Sequence, residues 1–122
     1  MLTANISTAP RREVNGLVSR VLLQAGDPGA SALTVTWVQV AAGAHQAMHE
    51  HSPEQVYVVL SGGGRMRIGH EEQDVGPGEM ALVPSGESHG ITNTGEGPLV
   101  YVSAATPAFR VTDLYDSGGL KP

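Results

Sequence analysis

No window of this chain repeats its apolar residues every 3.6 positions, and that constrains the fold more than any single motif. The apolar residues fall instead into short Val-rich runs, cut at close intervals by 16 Gly and 8 Pro. Such punctuation stops a helix before its first few turns and suits strands joined by tight turns. "LVSRVLL" at 17–23 reads as a strand, and "QAGDPGAS" after it as a turn cluster. "ALTVTWVQVA" at 32–41 is the strongest strand, with β-branched residues on both faces, so both faces are expected to be covered. "AAGAHQAMHEHSPE" reads as a loop that leads into the strand "QVYVVLSG". In "GGGRMRIGHEEQDV", Met66 and Ile68 alternate with Arg65 and Arg67, which predicts a hairpin turning around residues 69–72. Three further short strands follow up to Thr106, and "FRVTDLYDSGGLKP" is expected to start as a strand. Eight or so short strands at this spacing specify an all-β sandwich or small barrel.

With 122 residues, one domain has room for a real core and two hardly do. We read residues 1–16 as an N-terminal arm, 17–112 as the barrel and 113–122 as a tail. The arm is expected either to be mobile or to be an edge strand that pairs with a second subunit. A net charge of −5 with no basic stripe argues against nucleic acid as a partner. No apolar run reaches membrane-spanning length, and the first 16 residues lack the apolar core of a signal peptide, so a cytoplasmic location is expected. The absence of Cys excludes disulfides and thiolate ligands.

The chemistry concentrates in "HEHSPEQVYVVLSG". In a strand, residues i and i+2 share a face and stand roughly 6.6 Å apart. His49 and His51 therefore aim at one point, and Glu50 between them faces away. Gln55 opens the next strand and falls on the face of Tyr57 and Val59. His89, in "PSGESHGITN", is distant in sequence and free to be near in space. Imidazoles with one oxygen donor suit a transition metal and leave positions open for a ligand. Ordinary loop histidines are the competing reading of the same residues. His45 and His70 are read as surface residues, Glu54 as solvent-facing, and Asn93 as a turn cap.

Two segments together change the weight of these readings. Gly43, five residues, His49-x-His51, three residues, Gln55, six residues and Gly62 form one frame. Gly78, five residues, Pro84-x-Gly86, two residues, His89, three residues and Asn93 form another. Both resemble the paired motifs of the cupin superfamily, and with their link they cover residues 43–93. The resemblance implies an all-β double-stranded β-helix, or jelly-roll barrel, of the small single-domain kind. It implies His49, His51, Gln55 and His89 as ligands of one divalent transition metal per chain: Zn, Fe, Mn, Ni or Cu. The chain departs from the family at Gln55, where Glu is usual. A Gln oxygen can still ligate, but the site is then one charge more positive and lacks a carboxylate base. Gly62, Gly78 and Gly86 are read as strand corners, where positive φ is expected.

The resemblance implies a metal-dependent enzyme on a small anionic or enolisable substrate, with Lewis-acid isomerase or lyase chemistry. A metal-dependent dioxygenase and a non-catalytic small-ligand-binding cupin are the alternatives. Glu87 is a candidate acid or base, with a solvated loop position as the other reading. Arg67 is a candidate carboxylate clamp, with a solvated face as the other reading. Tyr57 is the third candidate, against plain core packing; Trp37, Tyr101 and Phe109 are the other large aromatics expected to line the cavity or core. A cavity lined only by apolar groups would favour binding or oxygen chemistry, whereas Arg, Glu or Tyr facing it would favour isomerase chemistry on an anion. Small cupins commonly pair, so a homodimer is expected.

Overall fold

A computed structural model describes residues 1–29 and 32–112. The C-terminal tail predicted for 113–122 lies outside the described residues. Among the described residues the strands are β1 (Arg11–Val14), β2 (Leu17–Leu23), β3 (Thr34–Val40), β4 (His45–His49) and β5 (Glu54–Ser61), then β6 (Gly64–Ile68), β7 (Glu71–Val75), β8 (Met80–Val83), β9 (His89–Asn93) and β10 (Leu99–Thr106). They form two antiparallel sheets: β1-β2-β3-β10-β5-β8 and β4-β9-β6-β7. Two facing sheets with these crossovers are the jelly roll.

Alternation decides which side chains turn inward. On β3, Thr34, Thr36, Val38 and Val40 are buried, while Val35, Trp37 and Gln39 between them are only half-buried. The expectation that both faces of this strand are covered is therefore corrected. Its outer face is half open, with the Arg20 guanidinium lying 5.9 Å from the Trp37 ring. Val40, Leu99, Ile91 and Val83 form the apolar half of the core, each at most 2% exposed. Burying a side chain of this size contributes about 1.5–3 kcal/mol. The core fills the barrel on the side of Leu99 and Val40; the polar residues gather toward the other end.

The predicted β6–β7 hairpin is present, with Arg67 opposite Glu72 and the turn at residues 69–70. Two sequence expectations are corrected. The segment 41–54, read as loop, contains β4, which lacks β-branched residues and exists because β9 supplies its hydrogen-bond partners. The strand expected to start at Phe109 is absent: β10 ends at Thr106, and Phe109 lies in irregular chain. Of the two readings of the arm, the edge strand is present: β1 stands at the end of the six-stranded sheet and folds onto β2 through Asn15 and Gly16, both at positive φ (51° and 84°). Asn-Gly suits this tight hairpin turn because both central residues need the left-handed region.

Gly62, Gly78 and Gly86 take φ of 79°, 85° and 79°, as their corner positions require. At Gly62 the requirement is also steric, because a Cβ there would collide with the Pro98 carbonyl. Asn93 caps its turn: its Oδ1 accepts from the Gly95 N–H at 2.9 Å, and its Nδ2 donates to Val40 and Gly97 carbonyls, both at 2.9 Å.

Candidate metal centre

His49 is the last residue of β4 and pairs directly with His89 on β9. Facing cross-strand positions bring side chains together, and the two rings lie 4.2 Å apart. His51 follows in the loop before β5, so the strand spacing that predicted its direction does not apply to it. The Pro53 carbonyl holds its ring instead, 3.0 Å from Nδ1, and that ring reaches to 5.0 Å from His89. The nitrogens of His49, His51 and His89 all lie within 4.8 Å of one another.

Backbone carbonyls set the tautomer of all three rings. Nδ1 of His49 lies 2.9 Å from the Ala47 carbonyl, and Nδ1 of His89 lies 2.9 Å from that of Glu87. A carbonyl only accepts, so each Nδ1 donates, and in a neutral ring that leaves the lone pair on Nε2. The Nε2 of His89 is buried and has no hydrogen-bond partner. A buried acceptor left without a partner is expensive unless something fills the position. Gln55, 8% exposed on β5, places Oε1 2.7 Å from the Nε2 of His51. With that tautomer both atoms are acceptors, and either a shared cation or a reversed amide relieves their repulsion. Burial lowers the pKa of His49, and the neighbouring His51 lowers it further. Burial likewise lowers His89, to about 4, and both neighbouring histidines add to the shift. Imidazoles with Nε2 turned inward and Nδ1 held by outer carbonyls are what a divalent transition metal requires. The donor set fits such an ion: His49, His51 and His89 through nitrogen and Gln55 through oxygen.

The cluster opens on a cavity of about 40 Å³. Its wall includes Ser19, Thr34, Thr36, Gln46 and Ser103, together with Phe109, whose ring lies 5.5 Å from that of His51. Thr34 fastens Phe109 in place, donating to its carbonyl at 2.8 Å and accepting from its N–H at 2.9 Å. Neither sequence criterion is met, for the wall is neither wholly apolar nor charged: hydroxyls and amides dominate its polar part.

The predicted acid–base residues separate. Tyr57 is 1% exposed and meets the His89 ring edge-on at 5.9 Å. It stacks on Tyr101 at 4.6 Å and donates to Gln46 Oε1 at 2.6 Å. Burial raises its pKa, so it remains a phenol. Glu87 and Arg67 do not reach the cavity. The Glu87 side chain is exposed and borders a surface hollow beside Gly69 and His70; only its backbone carbonyl serves the cluster. Arg67 is exposed on the outer face of β6 and donates to the Gly69 carbonyl at 3.2 Å. Glu50, Glu54, His45 and His70 are all exposed, as expected. Trp37 faces outward.

Sequence reasoning missed Gln46. A bulge in β4 places it: Gln46 pairs with Ile91 and His49 with His89, so Ala47 and Met48 on one strand stand against Gly90 alone on the other. The extra residue turns Gln46 and His49 to the same side, where strict alternation would separate them.

A small antiparallel barrel with an inward cluster of three imidazoles defines the class of the protein. The Cupin_2 model, described as a cupin domain, matches residues 36–105, and the chain belongs to that family. It is similar to dimethylsulfoniopropionate lyase DddQ of Ruegeria pomeroyi, 33% identical over 81 residues, which are 65% of this chain and 40% of that protein. The chain thus spans less than two thirds of the length of the curated relatives it matches. Among solved structures it resembles KdgF from Halomonas sp., with a TM-score of 0.78, 17% identity and coverage of 92% of this chain and 98% of that one. It also resembles oxalate decarboxylase from Bacillus subtilis, with a TM-score of 0.78, 19% identity and coverage of 85% and 29%. At these identities the structural likenesses show the fold alone.

Proposed function

We propose that this chain binds one divalent transition metal through His49, His51, Gln55 and His89 and performs Lewis-acid isomerase- or lyase-type chemistry on a small anionic or enolisable substrate. The observation that carries the reading is the set of three Nδ1-anchored imidazoles, with the buried Nε2 of His89 unpartnered among them. The lyase named among its relatives supports the reaction class. When bound, the ion would supply Lewis acidity toward a carbonyl or carboxylate oxygen. The chain supplies the rest: donors that hold the ion, a Phe109 ring beside His51, and Tyr57 as a protonated phenol behind His89.

One observation favours a second reading. Among the described residues, no carboxylate lines the cavity to take a proton. A cupin that binds a small ligand without turnover fits that wall equally well.

Elemental analysis of tag-free protein tests the metal. We expect about one transition-metal ion per chain, lost in His49→Ala; no metal, and none taken up on titration, would overturn the reading. Zinc would direct assays to isomerase and lyase substrates; iron, copper or manganese would add oxygen consumption.

We also propose that the chain forms a homodimer in the cytoplasm through the outer face of its six-stranded sheet. Val58 and Leu60 on β5 and Met80 and Leu82 on β8 are 36%, 50%, 58% and 48% exposed there, with Val58 directly paired to Met80. A flat apolar sheet face is self-complementary about a twofold axis. Light scattering should give twice the 12.7 kDa chain mass, and Leu60→Lys should give one. A monomeric wild type would refute the proposal.

A further inference from the structure

Of the four donors, His51 is the one that no strand positions. His49 ends β4, His89 begins β9 and Gln55 lies on β5. Residues 50–53 are the link that carries the chain from the four-stranded sheet to the six-stranded one. A strand residue takes its direction from the ladder, whereas a loop residue takes it from whatever holds its backbone. The Pro53 carbonyl, 3.0 Å from Nδ1, orients the His51 ring only within this loop. The place of the loop relative to the other ligands needs a second hold.

The turn between β8 and β9 supplies it. That turn makes the reverse crossing, from the six-stranded sheet back to the four-stranded one. The Glu87 N–H donates to the Pro84 carbonyl at 3.1 Å and closes the turn over residues 84–87. Gly86 stands third in it with φ of 79°, where a type II turn needs the left-handed region. The turn itself does not use the Gly86 N–H, which donates to the His51 carbonyl at 3.0 Å. Ser85, second in the turn, adds its side chain: its Oγ donates to the Ser52 carbonyl. Two consecutive residues of the turn thus hold two consecutive carbonyls of the His51 loop.

The same turn serves another ligand. One residue past Gly86, the Glu87 carbonyl lies 2.9 Å from Nδ1 of His89. A single short segment therefore fixes the His51 backbone at one end and the His89 ring at the other, with the two rings 5.0 Å apart.

Ser85 and Ser52 are both exposed, so water can take over a carbonyl that loses the Ser85 hydroxyl. The fold does not depend on this bond. What the bond contributes is order in the loop before any ligand binds, which lowers the entropy cost of binding.

We propose that Ser85 is a positioning residue of the metal centre, clasping the His51 loop to the turn that leads into His89 so that both imidazoles are set before metal binds. This rests on the metal reading above. Ser85 touches neither the ion nor its four donors; it acts through the backbone of His51.

The test uses the full chain and zinc, with affinity measured by chelator competition on wild type, Ser85→Ala and Ser85→Thr. Ser85→Ala should weaken zinc by roughly tenfold, while the urea midpoint of the metal-free protein stays in place. Ser85→Thr keeps the hydroxyl and should restore wild-type affinity. In the metal-free protein, the Gly86 amide should exchange with deuterium roughly tenfold faster in Ser85→Ala, with the amides of β9 unchanged. Unaltered zinc affinity in Ser85→Ala, or an equal loss in Ser85→Thr, would overturn the clasp and leave the metal reading standing. A urea midpoint that falls in step with affinity would make Ser85 a residue of the fold, and would overturn the clasp as well. A wild type that takes up no zinc would overturn the metal reading and the clasp with it.

Discussion

Acid should destabilise the metal-free protein through His89. This ring is 0% exposed, and burial holds its pKa at about 4, below the ordinary 6.5. Above pH 6.5 the ring is neutral in both the folded and the unfolded chain, and folding is unaffected. As pH falls from 6.5 toward about 4, the unfolded chain takes up a proton that the folded one refuses. Stability is therefore lost across that window, at about 1.4 kcal/mol per pH unit. Over the whole window the loss is about 3 kcal/mol, a large share of the 5–15 kcal/mol typical of a domain. His49, also lowered, acts in the same direction. The assay is urea unfolding with chelator present, at pH values from 7.5 to 4.0, on wild type and His89→Gln. Carboxylates elsewhere titrate in both proteins and cancel in the difference. We expect the gap between the two profiles to change by about 3 kcal/mol between pH 6.5 and 4. Parallel profiles would show that the ring is not desolvated as the structure places it. Added zinc should raise stability most above pH 6.5 and lose its effect in acid, because proton and metal compete for the same lone pair.

Two further outcomes follow from particular contacts. Thr34→Val removes both hydrogen bonds that fasten Phe109; a loss of about 2 kcal/mol and faster tryptic cleavage at exposed Arg110 are expected, whereas unchanged proteolysis would mean the segment is held elsewhere. Gly90→Ala puts a Cβ 2.7 Å from the Gln46 carbonyl oxygen and 3.2 Å from Met48 N; about 1–3 kcal/mol of destabilisation and weaker zinc binding are expected, because β4 must shift and carries His49 with it, and an unshifted melting temperature would refute this.

The chain by itself determined the fold class and the histidine constellation. Its glycines and prolines interrupt every run before a helix can form, and strand alternation assigns inner and outer faces without reference to the rest of the molecule. His49, His51 and His89 stood out because two motif frames framed them, and Gln55 and Tyr57 followed from alternation on a single strand. The Asn15-Gly16 turn was equally legible and should have marked the arm as a hairpin. What tertiary structure alone decided lies where local rules break. β4 exists only because β9 pairs with it, and its bulge, a property of that pairing, brings Gln46 round beside His49. Glu87 and Arg67 carried suitable chemistry, yet their faces belong to the outside of a closed barrel. The cavity wall comes from β2, β3, β4, β5 and β10 together, so no stretch of sequence contains it. Periodicity tells which way a side chain turns on its own strand; closure of the two sheets decides what it meets there.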